Sequence, residues 1–420
     1  MNKKILFLVL SVVLCIVLII TGITVGQKSN NGSPSTETPK PPVTLSPPQT
    51  DTNKPPLDTS SQETVPPPPY GGRTFTVVAP NSGELFLGDG IGGDTVSEAV
   101  YQRNLSVCLQ TGVTMLFKYS LDVYADTEAS SLSGSLSPDL VMLNMRSDGS
   151  RFLMNGGLMD VSSLYPEMKL PKSLKTAGKQ YFIIGDVTPS FVTSLYRLKV
   201  KADSGLVSPL TDTLENGTLT LEALFEVLAE NEKQLSLDET GIHALLSDGL
   251  FLLSDDGNAT VDADGYAQRA IRLSRYRAYV NEGSDAEAEI CIGTYSGDGY
   301  VYFSLPTYDT ESVGPVCDMS ALYPFALLSG CPDIEMSVSV LTLMTELSHG
   351  FGDLAASEYG LPDGGENAVY CFYDIFGWGD FSRHAYKVFL ENRTDSLKKT
   401  LEAPTRASLQ ALLILFERNS

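Results

Sequence analysis

From residue 74 onward, short apolar runs alternate with longer segments whose apolar positions repeat at helical spacing. Residues 74–79, TFTVVA, are β-branched and aromatic and run into Pro80-Asn81-Ser82-Gly83, a strand followed by a loop. After a glycine-rich stretch, Thr95 and Glu98 stand at capping-box spacing, and Val96, Val100 and Val107 share one helical face. Gly112 is a natural stop for that helix, and residues 113–117, VTMLF, resume a strand. Residues 139–145, DLVMLNM, and 179–185, KQYFIIG, are expected as further strands, with a turn in 158–164 between them. Thr220 is placed to cap the helix LEALFEVLAENEK, and residues 265–280 predict a second helix carrying Arg269, Arg272, Arg275 and Arg277. A strand over 301–305 ends at Pro306, and residues 337–347 and 408–417 have strongly apolar helical faces. Strands alternating with helices predict an α/β architecture with largely parallel sheets. No internal repeat is visible.

The first seventy residues follow different rules. Lys3 and Lys4 precede an uncharged stretch, 5–26, that is almost wholly aliphatic up to Ile20. About twenty apolar residues span a bilayer as a helix, and the flanking lysines place the N-terminus in the cytoplasm. Residues 1–27 are therefore expected to be a membrane anchor or signal segment. Cleavage near Thr24-Val25-Gly26 and lipidation at Cys15 are the competing readings, and all three export the remainder. Residues 28–70 hold twelve of the chain's 24 prolines and little aliphatic content, a composition for an extended, disordered linker of about 130 Å contour.

Charge sharpens the picture. The 420 residues carry 29 basic and 51 acidic side chains, a net of -22. Five lysines and four acids precede residue 71, so residues 71–420 hold 24 basic against 47 acidic groups. This argues against nucleic acid and anionic membrane surfaces as partners, because both need clustered Lys and Arg. Of the five cysteines beyond Cys15, none forms a CxxC, and Cys317 with Cys331 is the closest pair for a bridge. The chain has no G-x-S-x-G, no H-E-x-x-H and no phosphate-binding glycine loop, and His243, His349 and His384 are scattered. The acidic loop around Asp255 to Gly265 fails the EF-hand spacing. No catalytic set, metal site or cofactor is indicated, although a glycosidase carboxylate pair would leave no spacing signature.

Several stretches, read in order, carry a resemblance. They are RTFTVVAPNSGELF, GDTVSEAVYQRNLSVCLQTGVTM, PDLVMLNM with GGLMDVSSL, GKQYFIIGDVTPSF, LTLEALFEVL, FSLPTYD and MSALYPFALLSGCPDIEMSVSVLTLM. From about Arg73 to Phe416 the chain resembles the extracellular solute-binding proteins of ABC importers, in the family 1 group related to the maltose-binding protein and found in Gram-positive bacteria. It departs from them in lacking a lipoprotein cysteine, in a short stretch between Leu228 and Asp309, in Leu219 where a Trp is usual, and in having a single tryptophan, Trp378.

The resemblance implies a two-lobed, type II periplasmic-binding-protein-like α/β fold with an interlobe cleft, preceded by the N-terminal transmembrane helix. Lobe 1 is expected over about 71–187 and 311–350, and lobe 2 over about 188–310 and 351–420. It implies a non-enzymatic protein outside the cell that captures a sugar or similar solute by lobe closure and passes it to ABC permease subunits. A tethered sensor or scaffold that lost transport, and a secreted glycoside hydrolase, are the alternatives. Ligands in such folds are met by loops after the strands. The expected ligand-binding residues are thus Asn81, Glu84, Asn144, Asp186, Tyr308, Asp318, Tyr323 and Trp378.

Overall fold

The computed structural model describes residues 39–47, 68–81, 87–90, 93–132, 137–155, 157–162, 164, 180–215, 219–238, 241, 244–245, 251–253, 259–261, 269, 272–282, 288–308, 316–318, 322–362 and 369–371. In chain order the strands are β1 (Val43–Leu45), β2 (Thr74–Pro80), β3 (Thr114–Ser120), β4 (Leu140–Met142), β5 (Arg197–Lys201), β6 (Leu235–Leu237), β7 (Phe251–Leu253), β8 (Ala259–Val261), β9 (Val280–Glu282), β10 (Ile290–Gly293), β11 (Tyr300–Phe303), β12 (Val316–Asp318), β13 (Phe325–Ala326) and β14 (Val369–Cys371). The helices are α1 (Thr95–Thr111), α2 (Val123–Leu132), α3 (Ser150–Asn155), α4 (Val207–Glu215), α5 (Leu221–Glu230), α6 (Ile334–Glu346) and α7 (Phe351–Glu358).

Two five-stranded sheets organise the molecule. The first runs β1-β3-β2-β4-β13, with β2 parallel to β3 and β4, and β1 and β13 antiparallel at its edges. Along β2 the buried positions alternate, Phe75, Val77 and Ala79 entering a core with Met115, Phe117, Val107 and Leu341. The second runs β11-β5-β10-β6-β9, with β10, β6 and β9 parallel and β5 antiparallel to both of its neighbours, so the expectation of largely parallel sheets holds for the centre of the first and for the β10-β6-β9 side of the second. Leu198 and Val200 of β5 pack into its core with Leu224, Phe225 and Ile292. A third apolar cluster joins the sheets, bringing Val78, Tyr124 and Leu143 together with Tyr302, Cys317 and Ala355.

Several expectations change. Within the segment expected to be wholly disordered linker, Val43–Leu45 is an edge strand on β3, and Leu45 is buried. Prolines at 41, 42, 47 and 48 cannot donate to a ladder, which confines pairing to the residues between them. The run 179–185 forms no strand among its described residues; Ile183 alone bridges, to Phe325. Tyr181, Phe182, Ile183 and Ile184 are all buried, so the run is apolar because protein surrounds it on every side. The first helix is capped by Asp94, whose carboxylate accepts from the Ser97 N–H, rather than by Thr95. Cys317 and Cys331 form no bridge: the first thiol donates to the Ser194 carbonyl and the second lies 3.1 Å from Ser337 Oγ. No helix among the described residues is long and apolar enough to cross a membrane, and residues 5–26 lie outside them.

Candidate functional site

Because β3, β2 and β4 run parallel and side by side, their C-terminal ends share one edge of the first sheet. The residues emerging there are polar. Asn81 follows β2, and its N–H donates to the Ser120 carbonyl at 2.9 Å. Asp122 follows β3 and holds Arg151 from α3 at 2.6 Å. The Arg151 guanidinium also lies 4.2 Å from the centre of the Tyr124 ring, whose hydroxyl accepts from Asn155 Nδ2 at 2.8 Å. Asn144 follows β4, and its Nδ2 donates to the Tyr323 hydroxyl at 3.2 Å. Leu121 stands exposed after β3, next to Asp122, an apolar side chain beside hydrogen-bonding groups.

Two aspartates give the edge its electrostatics. Asp148 is buried and accepts from the N–H groups of Asn144 and Tyr124, which ties the end of β4 to α2. Burial pushes its carboxyl above the ordinary range, outweighing those donors. Burial also presses Asp122 upward, but the Arg151 hydrogen bond, the Ala125 N–H and the guanidinium charge together hold it below the ordinary range. Beside them, Tyr119 donates to Asp89; burial and then that carboxylate push the phenol far above its usual value. Among the described residues no group of His, Cys, Asp and Glu is arranged to hold a metal ion.

The second sheet contributes rings. On β5 the side chains alternate, so Arg197 and Lys199 face away from the core that takes Leu198 and Val200. Tyr300 and Tyr302 of β11 likewise belong to the joining cluster, while Val301 and Phe303 belong to the second sheet's core. The Lys199 ammonium lies 4.8 Å from the centre of the Tyr300 ring. Tyr295, after β10, packs against Tyr302 at 5.4 Å and against Tyr359 at the end of α7 at 5.0 Å. Burial, then Asp94, raises Tyr359 far above its usual pKa. Tyr124 of the first sheet's edge and these tyrosines therefore share one apolar cluster.

No protein-family model matches the chain, and no curated protein does. Solved structures do. A probable secreted solute-binding lipoprotein from Streptomyces coelicolor is 13% identical, with TM-score 0.52 over 79% of this chain and 98% of that one. A family 1 extracellular solute-binding protein from Bifidobacterium longum subsp. infantis is 12% identical, with TM-score 0.50 over 80% of this chain and all, 100%, of that one. The fold is that of the extracellular solute-binding proteins.

On the solute-binding fold the sequence-predicted residues separate. Asn81, Asn144 and Tyr323 come together at the strand ends, Asn144 and Tyr323 in direct contact. Asp186 does not join them. Its two carboxylate oxygens accept from Gly350 N–H at 2.7 Å and Gly352 N–H at 2.9 Å, capping α7, with the exposed His349 imidazole 3.8 Å away. Tyr308 is buried in the core of the second sheet, where its carbonyl accepts from Arg272. Asp318 ends β12, and nothing in the structure describes its side chain. Glu84 and Trp378 lie outside the described residues.

The sequence reading missed Asp122, Tyr124, Arg151, Tyr295 and Tyr359. A signal existed for the first two, since they follow a strand as Asn81 does. The alternation in RLKVK and YVYF marked one face of each strand as unlike its core face. Arg151 and Tyr359 arrive from helices whose placement no local pattern specifies.

Proposed function

We propose that this chain is a solute-binding protein that captures a sugar or a similar polar solute between its two sheets. The observation that carries the reading is the convergence of Asn81, Asp122, Asn144 and Arg151 on one strand edge, beside the tyrosine-lined cluster that joins the sheets. Amide and carboxylate groups suit hydroxyls, and a guanidinium beside a carboxylate gives a fixed fork of donors. Aromatic and aliphatic surface alongside suits the apolar side of a sugar ring. The solute-binding fold supports the same reading, because its two sheets are built to close on what lies between them.

In this reading lobe 1 comprises residues 71–187 and 311–350 and lobe 2 residues 188–310 and 351–420. The domain works outside the cell, anchored through residues 5–26, and passes its solute to an ABC permease. Glu84, Asp318 and Trp378 remain proposed contacts. Screening mono- and oligosaccharides by melting temperature tests it. A solute at a hundredfold excess over its dissociation constant stabilises by about 2.7 kcal/mol. Asn144→Ala then weakens that solute by roughly tenfold, a lost hydrogen bond of about 1.4 kcal/mol. A folded protein that no solute stabilises would overturn the reading.

A further inference from the structure

One feature of the strand edge comes from the proline-rich segment. The backbone N–H of Lys40 donates to Asn81 Oδ1 at 2.6 Å, across 41 residues of sequence. The Lys40 ammonium lies 5.5 Å from the centre of the Tyr119 ring, one residue before the end of β3. Three residues further on, β1 pairs with β3 in the register Val43 to Phe117, Thr44 to Leu116 and Leu45 to Met115. Because that pairing is antiparallel, the segment enters at the strand-end edge, where Asn81 lies, and runs away from it. Leu45 is buried with Phe75, Val107 and Met115, and its carbonyl accepts from the Cys108 thiol at 3.7 Å. Pro41 and Pro42 stand between Lys40 and the ladder, and their fixed φ limits how far Lys40 can swing from it.

We propose that residues 40–45 are part of the solute site, the β1 ladder holding Lys40 as a positioning residue whose backbone N–H orients the Asn81 side chain. This rests on the solute-capture reading above. A hydrogen bond this exposed contributes little to folding; its effect is on which way the Asn81 amide faces. The segment thereby joins an anchor-side linker to the rim of the site, so that displacing it changes affinity without touching a group on the sheet itself.

Two substitutions at one position separate the amide from the ammonium, both in the full chain. Lys40→Pro removes the N–H, and since Pro39 and Pro41 flank it, the extended backbone continues. Lys40→Ala keeps the N–H and removes the charge. For whichever sugar stabilises the wild type, calorimetric titration is expected to show a loss of about three- to tenfold for Lys40→Pro and less than about twofold for Lys40→Ala. Leu45→Asp, which puts a charge into the core, is expected to detach the segment and reproduce the Lys40→Pro loss. Hydrogen exchange gives a readout without ligand: the amides of 43–45 that point to β3 are protected in the wild type, and Leu45→Asp loses protection there and at those amides of 115–117 that point to β1. Equal affinities in all three variants would overturn the positioning role while leaving solute capture standing. Absence of protection at every amide of 43–45 in the wild type would overturn docking whatever binds. Failure of every sugar to bind would sink solute capture and the positioning role with it, while protection at 43–45 would still mark the segment as docked.

Discussion

Asp148 and Asp139 are buried carboxyls on either side of the first sheet's β4, and burial raises both above the ordinary carboxylate range. The unfolded chain gives up these protons at lower pH than the folded one does. Between the ordinary value and the raised one, the folded state binds more protons, so stability falls as pH climbs through that interval. Asp122 has the opposite sign: its stabilisation is present above the ordinary range and is lost as acid protonates it through its lowered folded value. Asp148→Asn is expected to flatten the decline of melting temperature just above the ordinary carboxylate range and to leave the acid limb in place. An unchanged slope in melting curves taken across that interval would count against this assignment. Neither direction is legible in the sequence, where Asp122 and Asp148 look like ordinary loop residues. Burial comes from distant segments, and so do the Tyr124 N–H on Asp148 and the Arg151 guanidinium on Asp122.

At the level of elements, local chemistry did well where it is local. Gly112 ends α1 in the left-handed conformation at φ 78°, as its place after the last apolar position suggests. A β-carbon there would also meet the Pro68 side chain at 2.6 Å and the Gly71 backbone at 2.8 Å. Gly112→Ala is thus expected to cost about 2 kcal/mol in urea denaturation, through strain at positive φ and displacement of the incoming chain. A loss below about 0.5 kcal/mol would show that the 68–71 turn yields freely. Thr220 caps α5 through the Ala223 N–H, also as its position suggests. The stretch 265–280 is helical at its described residues 269 and 272–274, as expected, but then leaves the helix through a 3-10 turn at Arg277–Tyr279 into β9. Its apolar spacing fits a helix equally well, and β9 exists because β6 offers an edge to pair with.

Across the whole molecule, the connection between the sheets is tied at two points. Buried Arg103 of α1 donates to the Val187 carbonyl and the Ser348 hydroxyl at 2.9 Å each, and burial lowers its pKa to about 9, still charged at neutral pH. Asp186, one residue from Val187, caps α7, which packs on α1 and on the turn Pro189–Ser194. Asp186→Ala leaves two N–H groups at a helix start without their acceptor, an expected loss of about 1–2 kcal/mol by thermal or urea unfolding. Unchanged stability would mean that solvent replaces the cap at no cost. The chain's acidity gave no hint of this arrangement, since a cap and a ligand contact use the same carboxylate.

By itself the sequence determined the α/β class, the acidic balance that argues against nucleic acid, the ordered resemblance that implied the solute-binding fold, and the strand-end position of Asn81 and Asn144. Those properties rest on periodicity, charge and the order of segments, all of which are written along one dimension. Tertiary structure alone decided that Asp186 caps a helix, that Tyr308 is core, that Arg151 meets Asp122, and that part of the proline-rich segment lies on the sheet. Each of these depends on a partner far away in the chain, and a side chain's chemistry does not say which partner the fold will bring to it.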